Sequence, residues 1–215
     1  MKKFAVILSG CGVYDGSEIH EATLTLLAIS KAGASYAIFA PDKPMAHVVN
    51  HLTGEVMPES RNVLVESARI ARGAISAIEL YNPKMFDGLI LPGGFGAAKN
   101  LSNFAFTESH FEVDRQVAAA IAATRKASKP IAALCIAPVL LASVLRDIEC
   151  TIGNDPGTIS RIEALGARHT ETGPDEICID RENKIVTSPC YMVNTDILKV
   201  SKGIENVIKA LLMLQ

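Results

Sequence analysis

The sequence predicts an α/β fold, a three-layer α/β/α sandwich around a mostly parallel sheet, with a cysteine held in the turn between a strand and a helix. Three observations carry this expectation. Short runs at residues 4–8, 36–40, 89–91 and 131–134 are apolar throughout, the pattern of strands buried on both faces. Stretches with helical apolar spacing separate them, so strands alternate with helices. The glycine-rich and cysteine-bearing turns all fall where strands end, the edge at which open α/β sheets bind ligands.

In chain order, FAVIL at residues 4–8 is the first strand, and a glycine-rich loop follows at 10–17. Leu24, Leu27 and Ala28 mark a helix face that stops near Lys31-Ala32, with Gly33 as the natural residue past its end. Residues 36–40 complete a βαβ unit, so a right-handed crossover is expected. Residues 41–60 carry two histidines and three prolines without periodicity and read as a long surface connection. Residues 61–72 resume as a helix, 89–91 as a strand, 97–106 as a loop, and the alanine-rich 113–127 as a helix. Pro130 opens the apolar strand that ends at Leu134, and Pro138 suits the first turn of the next helix, so Cys135 sits at the joint. A short strand is expected at Thr151-Ile152, a helix at 158–165, a hairpin from 177–180 and 184–187 turned at Glu182-Asn183, and an amphipathic helix at 196–214.

At 215 residues the chain is read as one domain spanning 1–215, long enough to bury a core without disulfides. A net charge of −2, from 21 basic and 23 acidic side chains, offers no field to gather nucleic acid or anionic lipid. Five cysteines, odd in number and without a C-x-x-C pair, point to a reducing compartment, read as the cytosol. The apolar run after Lys2-Lys3 has only five residues, short of the roughly seven of a signal peptide's core. No run approaches the roughly 18 of a membrane span.

A nucleophile on a tight strand-to-helix turn faces the positive end of a helix and finds backbone N–H donors beside it. Cys135 is therefore expected to be a reactive thiol of lowered pKa, with the N–H groups of Gly93, Gly94 and Ile136 as an oxyanion hole. Glu18 and Glu21 share a helix face. A carboxyl in a dry site near a thiol keeps its proton and can shuttle it; Glu18 is assigned to capping or solvation. His47 and His51 have the i, i+4 spacing of a helical metal pair but lack an intervening glutamate and a third ligand, so no metal is expected. Gly10-x-Gly12-x-x-x-Gly16 with Asp42 has the wrong last spacing for a dinucleotide fingerprint, and no cofactor is expected. Cys11 is a second candidate reactive thiol, in a loop without an evident base.

Together, Leu91-Pro92-Gly93-Gly94, the Ala133-Leu134-Cys135-Ile136-Ala137 elbow and a glutamate opening the first helix resemble the PfpI-type superfamily, related to class I glutamine amidotransferases. SGCGVYDGSEIHE at 9–21, NHLTGE at 50–55 and residues 92–103 are similar to its ElbB branch, the enhancing-lycopene-biosynthesis or isoprenoid biosynthesis proteins. The resemblance covers essentially the whole chain. It implies a flavodoxin-like sheet and a homodimer, and it maps the superfamily's nucleophile to Cys135 and its thiol-contacting carboxyl to Glu21. It further implies a cofactor-independent glyoxalase of the glyoxalase III type, a lyase acting on small dicarbonyls, with glyoxal giving glycolate and methylglyoxal giving lactate. The chain departs from the superfamily's proteases, which carry histidine where Ile136 stands, and from members with a later histidine, where Asp155-Pro156 stands here. His20 is the nearest candidate base by sequence. The rival expectation is a non-enzymatic redox-sensing or partner-binding protein that uses the same cysteine.

Overall fold

The computed structural model describes residues 1–108 and 110–215. The elements are β1 (Lys3–Ile7), α1 (Ile19–Lys31), β2 (Ser35–Ala40), α2 (Val63–Ala71), β3 (Ile75–Ala77), β4 (Gly88–Leu91), α3 (Phe95–Lys99) and α4 (Arg115–Lys126), followed by β5 (Ile131–Leu134), α5 (Pro138–Leu145), β6 (Glu149–Cys150), α6 (Pro156–Glu163), β7 (Arg168–His169), β8 (Cys178–Asp180), β9 (Ile185–Ser188) and α7 (Ile197–Met213). Seven strands pair in the order β3-β2-β1-β4-β5-β9-β8, parallel throughout except for the β8–β9 hairpin. This is the expected flavodoxin-like α/β/α arrangement. From β1 the chain winds outward through β2 to β3, then returns to β4 on the other side of β1. The loops after β1 and β4 therefore part at a switch point, where doubly wound sheets open a ligand crevice.

Alternation along each strand sorts the core into two layers. Ile7, Leu89, Leu91, Ile131 and Ala133 face Val117, Ile121, Leu140 and Leu141 of α4 and α5. Phe4, Val6, Leu8, Ile90 and Leu134 face Ile29 of α1 and Val200, Ile204, Val207 and Leu211 of α7. Each such aliphatic side chain contributes on the order of 1.5–3 kcal/mol by leaving water. Helix ends follow local chemistry. Asn62, Asp114 and Asp196 accept backbone N–H groups at the starts of α2, α4 and α7, and Pro138 opens α5.

Several expectations shift. Residues 75–77 form the edge strand β3, too short and too mixed in polarity to give an alternating signal. Residues 95–99 are helical where a loop was expected, because Gly94 and Gly96 hide a turn that packing, not propensity, stabilises. The strand expected at Thr151-Ile152 lies at Glu149–Cys150, and it pairs with β7 in a separate two-stranded sheet. Residues 41–60 are a connection, as expected, pinned by bridges Pro44↔Asn62 and Val49↔Val56.

Backbone meets backbone where the switch-point loops cross. Glu18 N donates to Gly93 O at 2.9 Å, Gly96 N to Gly16 O at 2.8 Å and Phe95 N to Val13 O at 2.8 Å. Gly94, at φ +95°, has no room for a Cβ, which would fall on Glu18 N and Gly16 O. Gly33, at φ +68°, has nothing within 4 Å of such an atom. Gly94→Ala should therefore cost more than about 3 kcal/mol, and Gly33→Ala about 1 kcal/mol, from the left-handed backbone alone. Denaturant midpoints measure both, and equal losses would contradict the crossing.

Candidate active site

Cys135 follows β5 directly and precedes α5, in the predicted elbow. Its φ of +58° is left-handed, a strained conformation for a residue with a Cβ. Cys135 N donates to Ser188 O at 2.9 Å, extending the β5–β9 pairing by one residue. That bond fixes the turn, and the side chain lies against the β4 loop, where a Cβ on Gly93 would meet Cys135 Cβ.

Glu21 occupies the first turn of α1 and is wholly buried. Glu18 caps that turn, its Oε2 accepting Glu21 N at 2.7 Å. Glu21 Oε2 accepts Gly93 N at 3.0 Å and Oε1 accepts Tyr191 N at 3.5 Å, and a Cβ on Gly93 would meet both Glu21 Oε2 and Cys135 Cβ, so carboxyl and cysteine flank the same turn. Burial, reinforced by the Glu18 charge, pushes the Glu21 carboxyl up to about 8, while the bonds from Cys135, Tyr191 and Gly93 act against the shift. Burial also carries the Cys135 thiol well above its ordinary value. The Glu21 and Cys190 charges add to this, and a hydrogen bond from the Gly94 backbone opposes it. At neutral pH the thiol is protonated, and thiol and carboxyl titrate as a pair.

A cavity of about 330 Å³ opens beside the pair, with Cys135, Ile136, Glu18, Gly94, Phe104 and Tyr191 in its wall. Two residues here were not singled out from the sequence. Cys190, wholly buried at φ +44°, has its thiol raised well above the ordinary value, first by burial and then by Glu21. Tyr191 supplies the second N–H to Glu21, and its hydroxyl pairs with His20 Nδ1 at 2.9 Å. Both follow the carboxyl end of β9, a parallel neighbour of β5. Reading β9 only as half of a hairpin concealed that they reach the same edge as Cys135.

The structure therefore brings Cys135, Glu21, Gly94 and Ile136 together and corrects other expectations. Gly93 is no free oxyanion donor, because its N–H is committed to Glu21. Gly94 and Ile136 line the cavity. His20 is exposed and meets Tyr191, not the thiol. Asp155 is exposed and caps α6, accepting Thr158 N at 2.7 Å; hydrogen bonds from the Thr158 side chain and then its backbone lower the Asp155 pKa. Cys11 lies outside the cavity wall, its thiol raised by burial and then by Glu66. The lowered pKa expected of Cys135 is reversed, since burial outweighs the helix end. Glu18 does cap, but it is buried rather than solvated. His47 and His51 lie in the 41–60 connection rather than on a helix; His51 Nε2 accepts Tyr14 N at 3.2 Å and the His47 ring meets Phe106 edge-on.

The raised Glu21 fixes the sign of a pH effect. Its folded value of about 8 exceeds the ordinary 4.5, so its contribution to stability is fully present below about 4.5 and is lost as pH rises toward 8. Glu21→Gln removes that dependence. The stability of the parent relative to the variant should fall by a few kcal/mol between pH 5 and pH 8. Urea unfolding at both pH values gives the difference, and a constant offset would rule out a buried carboxyl that resists ionisation.

No family model matches the chain. The rat protein named ES1 protein homolog, mitochondrial, and the human glutamine amidotransferase-like class 1 domain-containing protein 3, mitochondrial, are each 45% identical over 222 residues. Each alignment covers 99% of this chain, and 84% and 83% of the two relatives. The crystal structure of an isoprenoid biosynthesis protein with amidotransferase-like domain from Ehrlichia chaffeensis superposes with a TM-score of 0.92 at 37% identity, covering 99% of this chain and all of that one. Both curated relatives are named as mitochondrial, which overturns the expected cytosolic location. The five free cysteines report only a reducing compartment, and the cytosol is not the only one. By these likenesses the chain belongs to the ES1 and glutamine amidotransferase-like class 1 family.

Proposed function

We propose that this protein is a cofactor-independent glyoxalase, formed by residues 1–215 acting as one PfpI-type domain. The observation that carries the reading is a wholly buried Glu21 carboxyl, pushed up to about 8, that flanks the Gly93 turn together with Cys135. A carboxyl poised there exchanges protons readily at neutral pH, where an ordinary glutamate is fully ionised.

In the working form Glu21 is ionised and Cys135 carries the shared proton. Sulfur adds to the aldehyde carbon of an α-oxoaldehyde as Glu21 takes the thiol proton and passes it to the new alkoxide, giving a hemithioacetal. Glu21, again a carboxylate, removes the C1 proton to give an enediolate and returns it to C2, while the C1 hydroxyl proton passes to the C2 oxygen, leaving a 2-hydroxy thioester on Cys135. Water adds to the thioester with Glu21 accepting its proton, and the C–S bond breaks as that proton returns to sulfur. The net change is one dicarbonyl and one water to one α-hydroxy acid, so glyoxal gives glycolate and methylglyoxal gives lactate. Gly94 and Ile136 line the cavity beside the sulfur, where their N–H groups would meet the oxyanion.

The redox-sensor alternative fits less well. Sensor cysteines are low-pKa, accessible thiolates, whereas this thiol is raised and buried. The homodimer is carried from the resemblance, and light scattering at low micromolar concentration that returned the mass of one chain would refute it.

Glycolate formation from glyoxal, without glutathione or added metal, should fall by roughly 10²-fold or more in both Cys135→Ser and Glu21→Gln. In the parent it should rise with pH through about 8, where Glu21 ionises. Equal rates in all three proteins would remove the enzymatic reading.

A further inference from the structure

The cavity is far larger than glyoxal. At about 330 Å³ it reaches the range of small-molecule pockets, whereas a four-atom dicarbonyl fills roughly the share of two waters, about 60 Å³. Away from Cys135, Val13, Phe95, Ala98, Phe104, Ala105 and Met192 furnish an apolar wall. Among the described residues no lysine, arginine or histidine lines it, and the acidic Glu18, which caps α1, is part of the wall. Nearby cations are engaged elsewhere. Arg161 stacks on the Phe104 ring at 3.5 Å from its centroid and donates to Phe104 O and Thr107 O at 3.0 and 2.8 Å. Lys99 lies over Phe95 and donates to Tyr14 O at 2.9 Å. Phe104 is further held by Phe111, edge to face at 4.9 Å, so the apolar wall is braced from behind.

We infer that the site prefers uncharged α-oxoaldehydes with an apolar body of about phenyl size over glyoxal itself and over anionic aldehydes. The inference rests on the glyoxalase reading above and specifies its substrate class. The reactive end of such a substrate meets Cys135 and Glu21 while its body displaces water from the apolar wall. A carboxylate on that body would lose its hydration with no cation to replace it and with Glu18 to repel it.

The test compares kcat/KM for glyoxal, methylglyoxal, phenylglyoxal and 4-carboxyphenylglyoxal, following the α-hydroxy acid formed. Phenylglyoxal should exceed glyoxal by at least about tenfold, with methylglyoxal between them and the carboxylated analogue at least about tenfold below phenylglyoxal. Ala105→Phe, at an exposed position that tolerates bulk, should shrink the phenylglyoxal-to-glyoxal ratio by filling the wall. A flat series, or a carboxylated analogue consumed as well as phenylglyoxal, would overturn the inference. Should no dicarbonyl be turned over, the glyoxalase reading falls, and acetophenone decides the ligand class. Saturable protection of Cys135 from iodoacetamide by acetophenone, but not by benzoate, would uphold an apolar, uncharged ligand, and absence of protection would overturn it.

Discussion

The site depends on a close crossing of backbone at the switch point of the sheet. The loops after β1 and β4 approach so nearly that Glu18 N, Gly96 N and Phe95 N each donate to a carbonyl of the opposite loop. This crossing sets where α1 begins, and α1 carries Glu21 three residues from its cap. Asn100 reinforces the arrangement, donating to Ser9 O and Asp15 O and accepting Ala46 N, so one buried amide ties three segments together. The position of the carboxyl is thus fixed by main-chain hydrogen bonds, Glu21 N to the Glu18 cap and Gly93 N to Glu21 Oε2, rather than by a flexible side chain reaching across a gap.

Strain is concentrated at the same edge. Cys135 and Cys190 both adopt left-handed backbone, at φ +58° and +44°, beyond the carboxyl ends of adjacent parallel strands. Each conformation costs of order 1 kcal/mol and persists only because its surroundings fix it. For Cys135 the anchor is the hydrogen bond to Ser188 O, which turns the side chain out of the ladder and toward Gly93 and Glu21. The adjoining helix α5 starts with Pro138, whose fixed φ suits a first turn and whose missing N–H is no loss there.

Much of this was legible in the sequence, for identifiable reasons. The strands β1, β2, β4 and β5 are buried on both faces and leave unbroken apolar runs, and Asp196 and Pro138 mark helix starts by their chemistry. The elbow and its carboxyl followed from Cys135 lying between Leu134 and Pro138, and from Glu21 standing a fixed distance before Gly33. What escaped the reading was long-range. Neither the commitment of Gly93 N–H to Glu21 nor the arrival of Tyr191 N–H at the same carboxyl has a local signature. The thiol's pKa was misjudged for the same reason. A helix N-terminus is visible in sequence, but the complete burial that outweighs it is a property of the packed fold.

On the proposed reading, the absence of a histidine beside Cys135 becomes intelligible from the electrostatics alone. An unperturbed imidazole titrates near 6.5, roughly two units above an unperturbed glutamate. Burial and the Glu18 charge carry Glu21 to about 8, so this carboxyl occupies the titration range that a histidine would otherwise supply. It also differs from a histidine in kind. Its protonated form is neutral and can rest in an apolar site without a counter-ion, whereas an imidazolium would bring a cation into a wall that has none among the described residues. A neutral resting pair in a cavity without cations has little to hold a charged ligand and can host an uncharged one without desolvating an ion. The chemistry of the proton and the chemistry of the ligand thus trace to the same cause, a buried carboxyl beside a wall that carries no lysine, arginine or histidine among the described residues.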